Sequence, residues 1–254
     1  MENRKELHHV ERAIIMAAGG GTRLHPLTLE TPKPLISVNG VRMIDSIISA
    51  LHENGVSEII VVVGYKKKAF QPLEAEIPGL KLVENHWYDH CNNISSLYAA
   101  REYLGDCMIL DGDQIIQNPG ILCPVFSRSG YCAAWTEEET REWLLTAQDG
   151  VIQNCSRNGG KHGWQLYSIS YWSEEDGARL RRHLEIEFEE RKNRQIYWDD
   201  VPLFCYPSEY RLGIYPIQKE DVLEIDSLAE LAAADPSYYC FLSEKEADHE
   251  KEKS

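Results

Sequence analysis

The sequence predicts an α/β protein with a Rossmann-like, mixed but mostly parallel sheet flanked by helices. Three observations carry this expectation. Short apolar runs alternate with a helical pattern from residue 12 to about residue 81. A glycine-rich loop follows directly on the first run, and Asp111-Gly112-Asp113 follows directly on the fourth. Carboxylates at the C-terminal end of a strand stand where open α/β sheets bind ligands.

Ala13-Ile14-Ile15-Met16 reads as a buried first strand, because parallel strands covered on both faces lack polar alternation. Ile44, Ile47, Ile48 and Leu51 fall at i, i+3, i+4 and i+7, which predicts a helix with one apolar face stopped at Gly55. Glu58 to Gly64 is a second buried strand, Leu80 to Val83 a third and Cys107 to Leu110 a fourth. Beyond Asp113 the order becomes α+β in character. Tyr131 to Trp135, Trp143 to Ala147 and Gln165 to Trp172 read as strands, with a helix over Leu180, Leu184 and Phe188. The charges from Arg181 to Arg194 read as a solvated helix face, with Arg181, Arg182, Arg191, Lys192 and Arg194 set among Glu185, Glu187, Glu189 and Glu190. No repeat or flexible linker divides the chain. The expected organisation is an N-terminal extension over 1–11, one domain over 12–242, and a charged tail over 243–254 that reads as disordered.

With 26 Lys+Arg against 41 Asp+Glu, the 254-residue chain carries a formal charge of −15, which makes nucleic acid and anionic membranes poor partners. Its 43% apolar and 9% aromatic content supports a sizeable core. No apolar run approaches the roughly 18 to 20 residues that span a bilayer. The opening MENRKELHHVER lacks the apolar stretch and cleavage site of a secretory signal. Seven cysteines, an odd number without a CxxC pair, fit reduced thiols and a cytoplasmic location. A homodimer is compatible with all of this, and the oligomeric state is not legible.

The strongest chemical signal is Ala17-Ala18-Gly19-Gly20-Gly21-Thr22-Arg23, followed by Thr31-Pro32-Lys33-Pro34-Leu35. Three glycines after a buried strand let backbone N–H groups approach an anion, and Arg23 and Lys33 bring two cations to the same rim. This is a triphosphate cradle. It is neither a Walker loop, since no Gly-Lys-Ser/Thr follows, nor a GxGxxG fingerprint. The plainer alternative is a glycine-rich turn with two solvated cations.

The stretch from Ile14 to Leu35 resembles the signature of the nucleotidyltransferase superfamily that activates sugar and alcohol phosphates, roughly LAAGxGxRLxPLTxxxPKPL, departing from it only at Met16. Further pieces in chain order resemble the bacterial CTP:phosphocholine cytidylyltransferases and the related 2-aminoethylphosphonate enzymes. They are Trp87-Tyr88-Asp89, Asn92 to Tyr98, Leu110 to Asp113, Glu142-Trp143, Tyr197-Trp198-Asp199 and Leu223 to Ser227. The resemblance implies the nucleotidyltransferase (GT-A-like) fold and Mg²⁺-dependent transfer of CMP from CTP to a small phosphate or phosphonate zwitterion. In this reading residues 17–23 hold base and phosphates, Arg23 contacts phosphate, and Lys33 stands near the α-phosphate, with Asn92, Asn93 and Ser96 near base and ribose. Asp113 and Asp226 match the metal-binding carboxylates, with Asp111 and Glu224 as second choices. Read without the resemblance, Asp111-Gly112-Asp113 is a polar turn, Asp226 the N-cap of the next helix, and Asn92 to Ser96 the start of another. No general base is needed, because the attacking oxygen is already anionic.

A quaternary ammonium is bound by aromatic faces. Trp143, Tyr171, Trp172, Tyr197, Trp198 and Asp199 supply such parts, Trp198 beside Asp199 and Asp200 being the foremost. Phosphocholine leads on that ground. Carboxylates such as Asp199 or Glu138 would instead suit the primary ammonium of 2-aminoethylphosphonate or phosphoethanolamine. The rival readings are a sugar-1-phosphate nucleotidyltransferase and a non-catalytic nucleotide-binding regulatory module. A zinc pair at His86 and His90, next to Cys91, lacks a fourth ligand at zinc-site spacing.

Overall fold

The computed structural model of the chain describes residues 7–242; the charged tail expected over 243–254 lies outside the described residues. Among these, nine strands form the central sheet: β1 (Arg12–Ala17), β2 (Glu58–Val63), β3 (Leu80–Glu84), β4 (Cys107–Asp111), β5 (Gly130–Thr136), β6 (Leu144–Gln148), β7 (Val151–Ser156), β8 (Gly163–Trp172) and β9 (Gly213–Pro216). Their spatial order is β5-β9-β7-β6-β8-β4-β1-β2-β3. The last four in that order run parallel. β8 runs antiparallel to β4 and joins this parallel half to the second half, where β5 pairs with β8 as well as with β9.

The four parallel strands follow from their composition. Alternate residues of β1 enter opposite cores: Ala13, Ile15 and Ala17 pack on the side of helix α1 (Met43–Glu53), whereas Ile14 and Met16 pack on the side of α3 (Ile94–Ala99) and α4 (Glu174–Glu185). Helix α1 has no side-chain N-cap bond, a device worth about 1 kcal/mol. It buries Ile44, Ile47, Ile48 and Leu51, each worth roughly 1.5–3 kcal/mol, so packing rather than capping fixes it. Gly55 ends it at φ +80°. Between β2 and β3 lies the short α2 (Gln71–Glu76). Helix α4 starts at Ser173, whose hydroxyl accepts from Asp176 N, and continues as a π turn over Ile186–Glu190.

Two expectations change here. The charge run is not uniformly solvated: Glu187 is only 1% exposed and accepts from Arg191 and Asn193, while Glu189 accepts from the Tyr98 hydroxyl. Glu187 follows Leu180 by seven residues and Leu184 by three, so helical spacing itself carries it to the buried face, whereas Glu189 keeps an exposed position. In addition, β7 and β9 form where no strand is expected, β7 being a half-exposed polar stretch and β9 a four-residue piece ending in proline.

The strand order 3-2-1-4 opens a crevice beyond the C-terminal ends of β1 and β4, where the glycine-rich loop and Asp111-Gly112-Asp113 emerge side by side. A small two-stranded ladder pairs Gln114–Ile116 with Val222–Glu224, setting Gln114 opposite Glu224. That register brings the segment just before the ladder, with Asp113, beside the segment just after it, with Asp226.

Candidate active site

Gly21 sits at φ +60°, and a Cβ there would come within 3.0 Å of both the Lys33 Cβ and the Thr28 Cγ2. The missing side chain therefore lets the loop close over Lys33, with the buried Thr28 hydroxyl donating to Gly21 O at 2.9 Å. Lys33 is itself buried at 6% exposure. Its ammonium reaches Asp113 Oδ2 at 2.6 Å and Asp226 Oδ1 at 2.9 Å, and Arg23 Nη2 reaches the same Asp226 oxygen at 2.8 Å. Burial works against the charge on Lys33, but Asp113 and Asp226 hold its pKa above the ordinary lysine value. Burial likewise raises the Asp226 carboxyl, and Lys33 and Arg23 bring it below the usual carboxylate range. Two hard carboxylate oxygens thus converge on one cationic point at the rim of the glycine-rich loop.

Asp226 does not cap the following helix α5 (Leu228–Ala234). Ser227 does, accepting from Glu230 N, while Glu230 Oε2 accepts from Asp226 N. The Asp226 carboxylate is left facing the cleft.

Two cavities meet at this point, sharing Arg23, Asn93, Asp111 and Asp113. The first, about 280 Å³, is walled by Ala17, Ala18, Gly19, Gly21, Thr22, Lys33 and Ser96. The second, about 250 Å³, is walled by Glu142, Trp143, Leu166, Ser168, Tyr197, Asp199, Glu224 and Asp226. In the second, Trp143 and Tyr197 meet edge to face with ring centres 5.8 Å apart. Asp199 is 8% exposed, and its carboxylate stands beside the buried Tyr131 hydroxyl, neither Asp199 Oδ1 nor that hydroxyl completing a hydrogen bond among the described residues. Burial, opposed by the Tyr131 hydroxyl and reinforced by the Asp200 charge, pushes it up to about 7. Burial also raises Glu224 to about 7 although Gln114 donates to it at 2.8 Å. Asp111 is carried well above its ordinary value by burial and by the charges of Asp113 and Asp199.

The expected residues do not all meet. Trp198 is a correction: it is 2% exposed, stacks on Tyr131 at 6.1 Å and meets Trp172 edge-on at 5.9 Å, so its ring belongs to the core. Only its backbone N–H faces the site, donating to Asn93 Oδ1 at 2.8 Å. Tyr171 and Trp172 are core residues as well, and Glu138 is an exposed side chain outside the cavity. Asn92 and Gly20 wall neither main cavity. Asn92 lines a side cleft with Gly19 and Ser96, and ties the start of α3 to Gln195 O. Ser96 is held by Asn85, which donates to its hydroxyl at 3.0 Å. His86 and His90 are exposed beside Glu84 and Asp89, and no cluster of three ligating side chains occurs among the described residues.

Leu166, Ser168 and the cavity position of Glu142 were not singled out by the sequence. Leu166 and Ser168 lie two apart on β8, so strand alternation pointing at the Asp111 end of β4 is the signal that could have found them.

The chain matches the nucleotidyl transferase family over residues 12–120. It is 43% identical over 233 residues to the 2-aminoethylphosphonate cytidylyltransferase of Lancefieldella rimae, covering 91% of this chain and 94% of that one. It is 31% identical over 217 residues to the choline-phosphate cytidylyltransferase of Streptococcus pneumoniae, covering 85% and 93%. The solved structure of CTP:phosphocholine cytidylyltransferase from Streptococcus pneumoniae superposes with a TM-score of 0.79 at 31% identity, covering 86% of this chain and 95% of that one. With a glycine-rich loop and two carboxylates in the expected crevice, and cytidylyltransferases as relatives along nearly its whole length, this chain belongs to the nucleotidyl transferase family.

Proposed function

We propose that this enzyme transfers CMP from CTP to 2-aminoethylphosphonate. The observation that carries this acceptor is the charge of the second cavity, where Glu142, Asp111, Asp199 and Glu224 stand against a single aromatic pair. A primary ammonium donates three N–H bonds and satisfies such carboxylates, above all the unpartnered Asp199 Oδ1. A trimethylammonium donates none and is better served by a closed aromatic box, which the burial of Trp198 leaves without a third wall. The 43% relative named for this acceptor supports the same choice.

In this reading the glycine-rich loop receives the triphosphate, and a phosphonate oxygen attacks the α-phosphorus of CTP as the bond to the β-phosphate oxygen breaks and pyrophosphate leaves. Arg23 and Lys33 stabilise charge on the phosphates as it shifts, and Asn93, between the two cavities, aligns nucleotide and acceptor. Asp113 and Asp226 suit a hard divalent cation such as Mg²⁺, which takes oxygen ligands and keeps places for phosphates. Bound there, it would neutralise the triphosphate.

The Trp143–Tyr197 pair favours phosphocholine as the second reading. Pyrophosphate release with CTP and Mg²⁺ is measured for 2-aminoethylphosphonate, phosphoethanolamine, phosphocholine and glucose-1-phosphate. The expected order of kcat/KM puts 2-aminoethylphosphonate first, and a preference for phosphocholine overturns the proposal.

A further inference from the structure

Arg157 touches neither cavity, yet it lies behind the acceptor wall. Its guanidinium holds Asp200 Oδ1 through Nε at 2.8 Å and Nη2 at 2.5 Å, and the Asp200 carboxylate is 5% exposed. The other Asp200 oxygen accepts from Tyr197 N at 2.8 Å, and Asp200 N donates back to Tyr197 O at 3.1 Å. The same guanidinium lies 3.6 Å from the ring centre of Phe204 and 5.8 Å from that of Trp143. Trp143 in turn meets Tyr197 and Phe204 edge-on at 5.8 and 5.5 Å.

The turn that carries Arg157 also holds the other wall. Thr140 and Gly160 exchange backbone hydrogen bonds at 3.0 Å, and a Cβ on Gly159 would fall 1.8 Å from Thr140 O. Chain 140–143, with Glu142 and Trp143, is therefore pinned to chain 157–160. Chain 197–200, with Tyr197 and Asp199, is pinned there through Asp200.

We propose that Arg157 is the positioning residue of the acceptor cavity, fixing Tyr197 and Asp199 on one wall against Trp143 on the other through the Asp200 carboxylate and the Phe204 ring. This rests on the acceptor reading of that cavity. Arginine suits the task because one planar group can hydrogen-bond a carboxylate at its edge and stack on an aromatic ring with its face. Lysine keeps the charge but cannot do both.

The test compares the wild type with Arg157→Ala, Arg157→Gln and Arg157→Lys by steady-state kinetics, varying CTP and acceptor separately, on whichever acceptor of the panel the wild type uses best. For Arg157→Ala the acceptor KM should rise at least about tenfold, with the CTP KM within twofold of wild type. Arg157→Lys should fall between wild type and Arg157→Ala. If Arg157→Ala fails to fold, Arg157→Gln and Arg157→Lys carry the comparison. An unchanged acceptor KM, or CTP and acceptor KM values rising together, overturns the positioning role. A wild type that prefers an acceptor other than 2-aminoethylphosphonate overturns the substrate assignment alone, because the KM split is still read on the acceptor it uses.

Discussion

Lys33 remains charged in a buried place because two carboxylates share its ammonium, and the cation and the carboxylates are expected to leave different kinetic marks. Lys33→Ala should lower the rate of transfer more than CTP affinity, since a cation near the α-phosphate gains strength as charge shifts in the transition state; single-turnover rates and CTP titration separate the two. Asp113→Asn and Asp226→Asn should each cut turnover at least about a hundredfold at saturating Mg²⁺ while leaving the circular dichroism spectrum unchanged. Asp199 behaves differently, because its folded pKa, about 7, lies above the ordinary carboxyl value. Between about pH 4 and pH 7 the folded state then binds more protons than the unfolded one, so stability falls as pH rises through that window. Asp199→Asn should accordingly raise Tm at pH 8 and change it little near pH 4.5. The same variant should weaken the decline in acceptor KM expected of the wild type from pH 6 to pH 8, Glu224 supplying the remainder; comparing the two on one acceptor removes the titration of the phosphonate itself. Of this adjacent pair, Asp199 lines the cavity and Trp198 does not. A Trp-Asp pair says nothing of which side chain turns inward, and only the 2% exposure of Trp198 and its place against Tyr131 and Trp172 decide it.

At the scale of elements, close approach sets the sign of substitutions that propensity alone would reverse. Alanine in place of a helix glycine gains about 1 kcal/mol, but a Cβ on Gly177 of α4 would stand 2.4 Å from Gly105 N and 2.6 Å from Gly105 Cα. Such overpacking costs about 1–3 kcal/mol, and Gly177→Ala is expected to lower the denaturation midpoint. In the glycine-rich loop, Gly21→Ala meets both a positive φ and the 3.0 Å contacts to Lys33 and Thr28, so on the proposed reading CTP KM should rise about tenfold or more with acceptor KM little changed. The parallel strands were legible because burial on both faces leaves unbroken apolar runs such as Ile59 to Val63. β7 and β9 were not, because Val-Ile-Gln-Asn-Cys-Ser and Gly-Ile-Tyr-Pro hold their places through neighbouring strands rather than through a pattern of their own.

Across the molecule, the cavity proposed for the nucleotide is walled mostly by one contiguous stretch, residues 16–34, which stands out in the sequence. The cavity proposed for the acceptor draws on β4, β8, chain 142–143, chain 197–199 and chain 224–226, whose meeting no local pattern announces. Ligand binding should act on the whole: CTP with Mg²⁺ at about a hundred times its Kd adds about 2.7 kcal/mol, or roughly 5–10 °C in Tm for a chain of this size. Chelation with EDTA should shrink that shift, and an equal shift with and without divalent cation would separate Asp113 and Asp226 from metal binding. The two halves are joined along β8, whose Ile169, Ser170, Tyr171 and Trp172 pair with Leu110, Ile109, Met108 and Cys107 of β4. Ladder bonds of this kind run between main-chain groups and are indifferent to the side chains beside them. On the proposed assignment of the two cavities, such a seam predicts that a chimera of two relatives crossing over between β4 and β5 still folds and takes its nucleotide preference from the N-terminal parent, with kcat/KM for a panel of nucleoside triphosphates as the check.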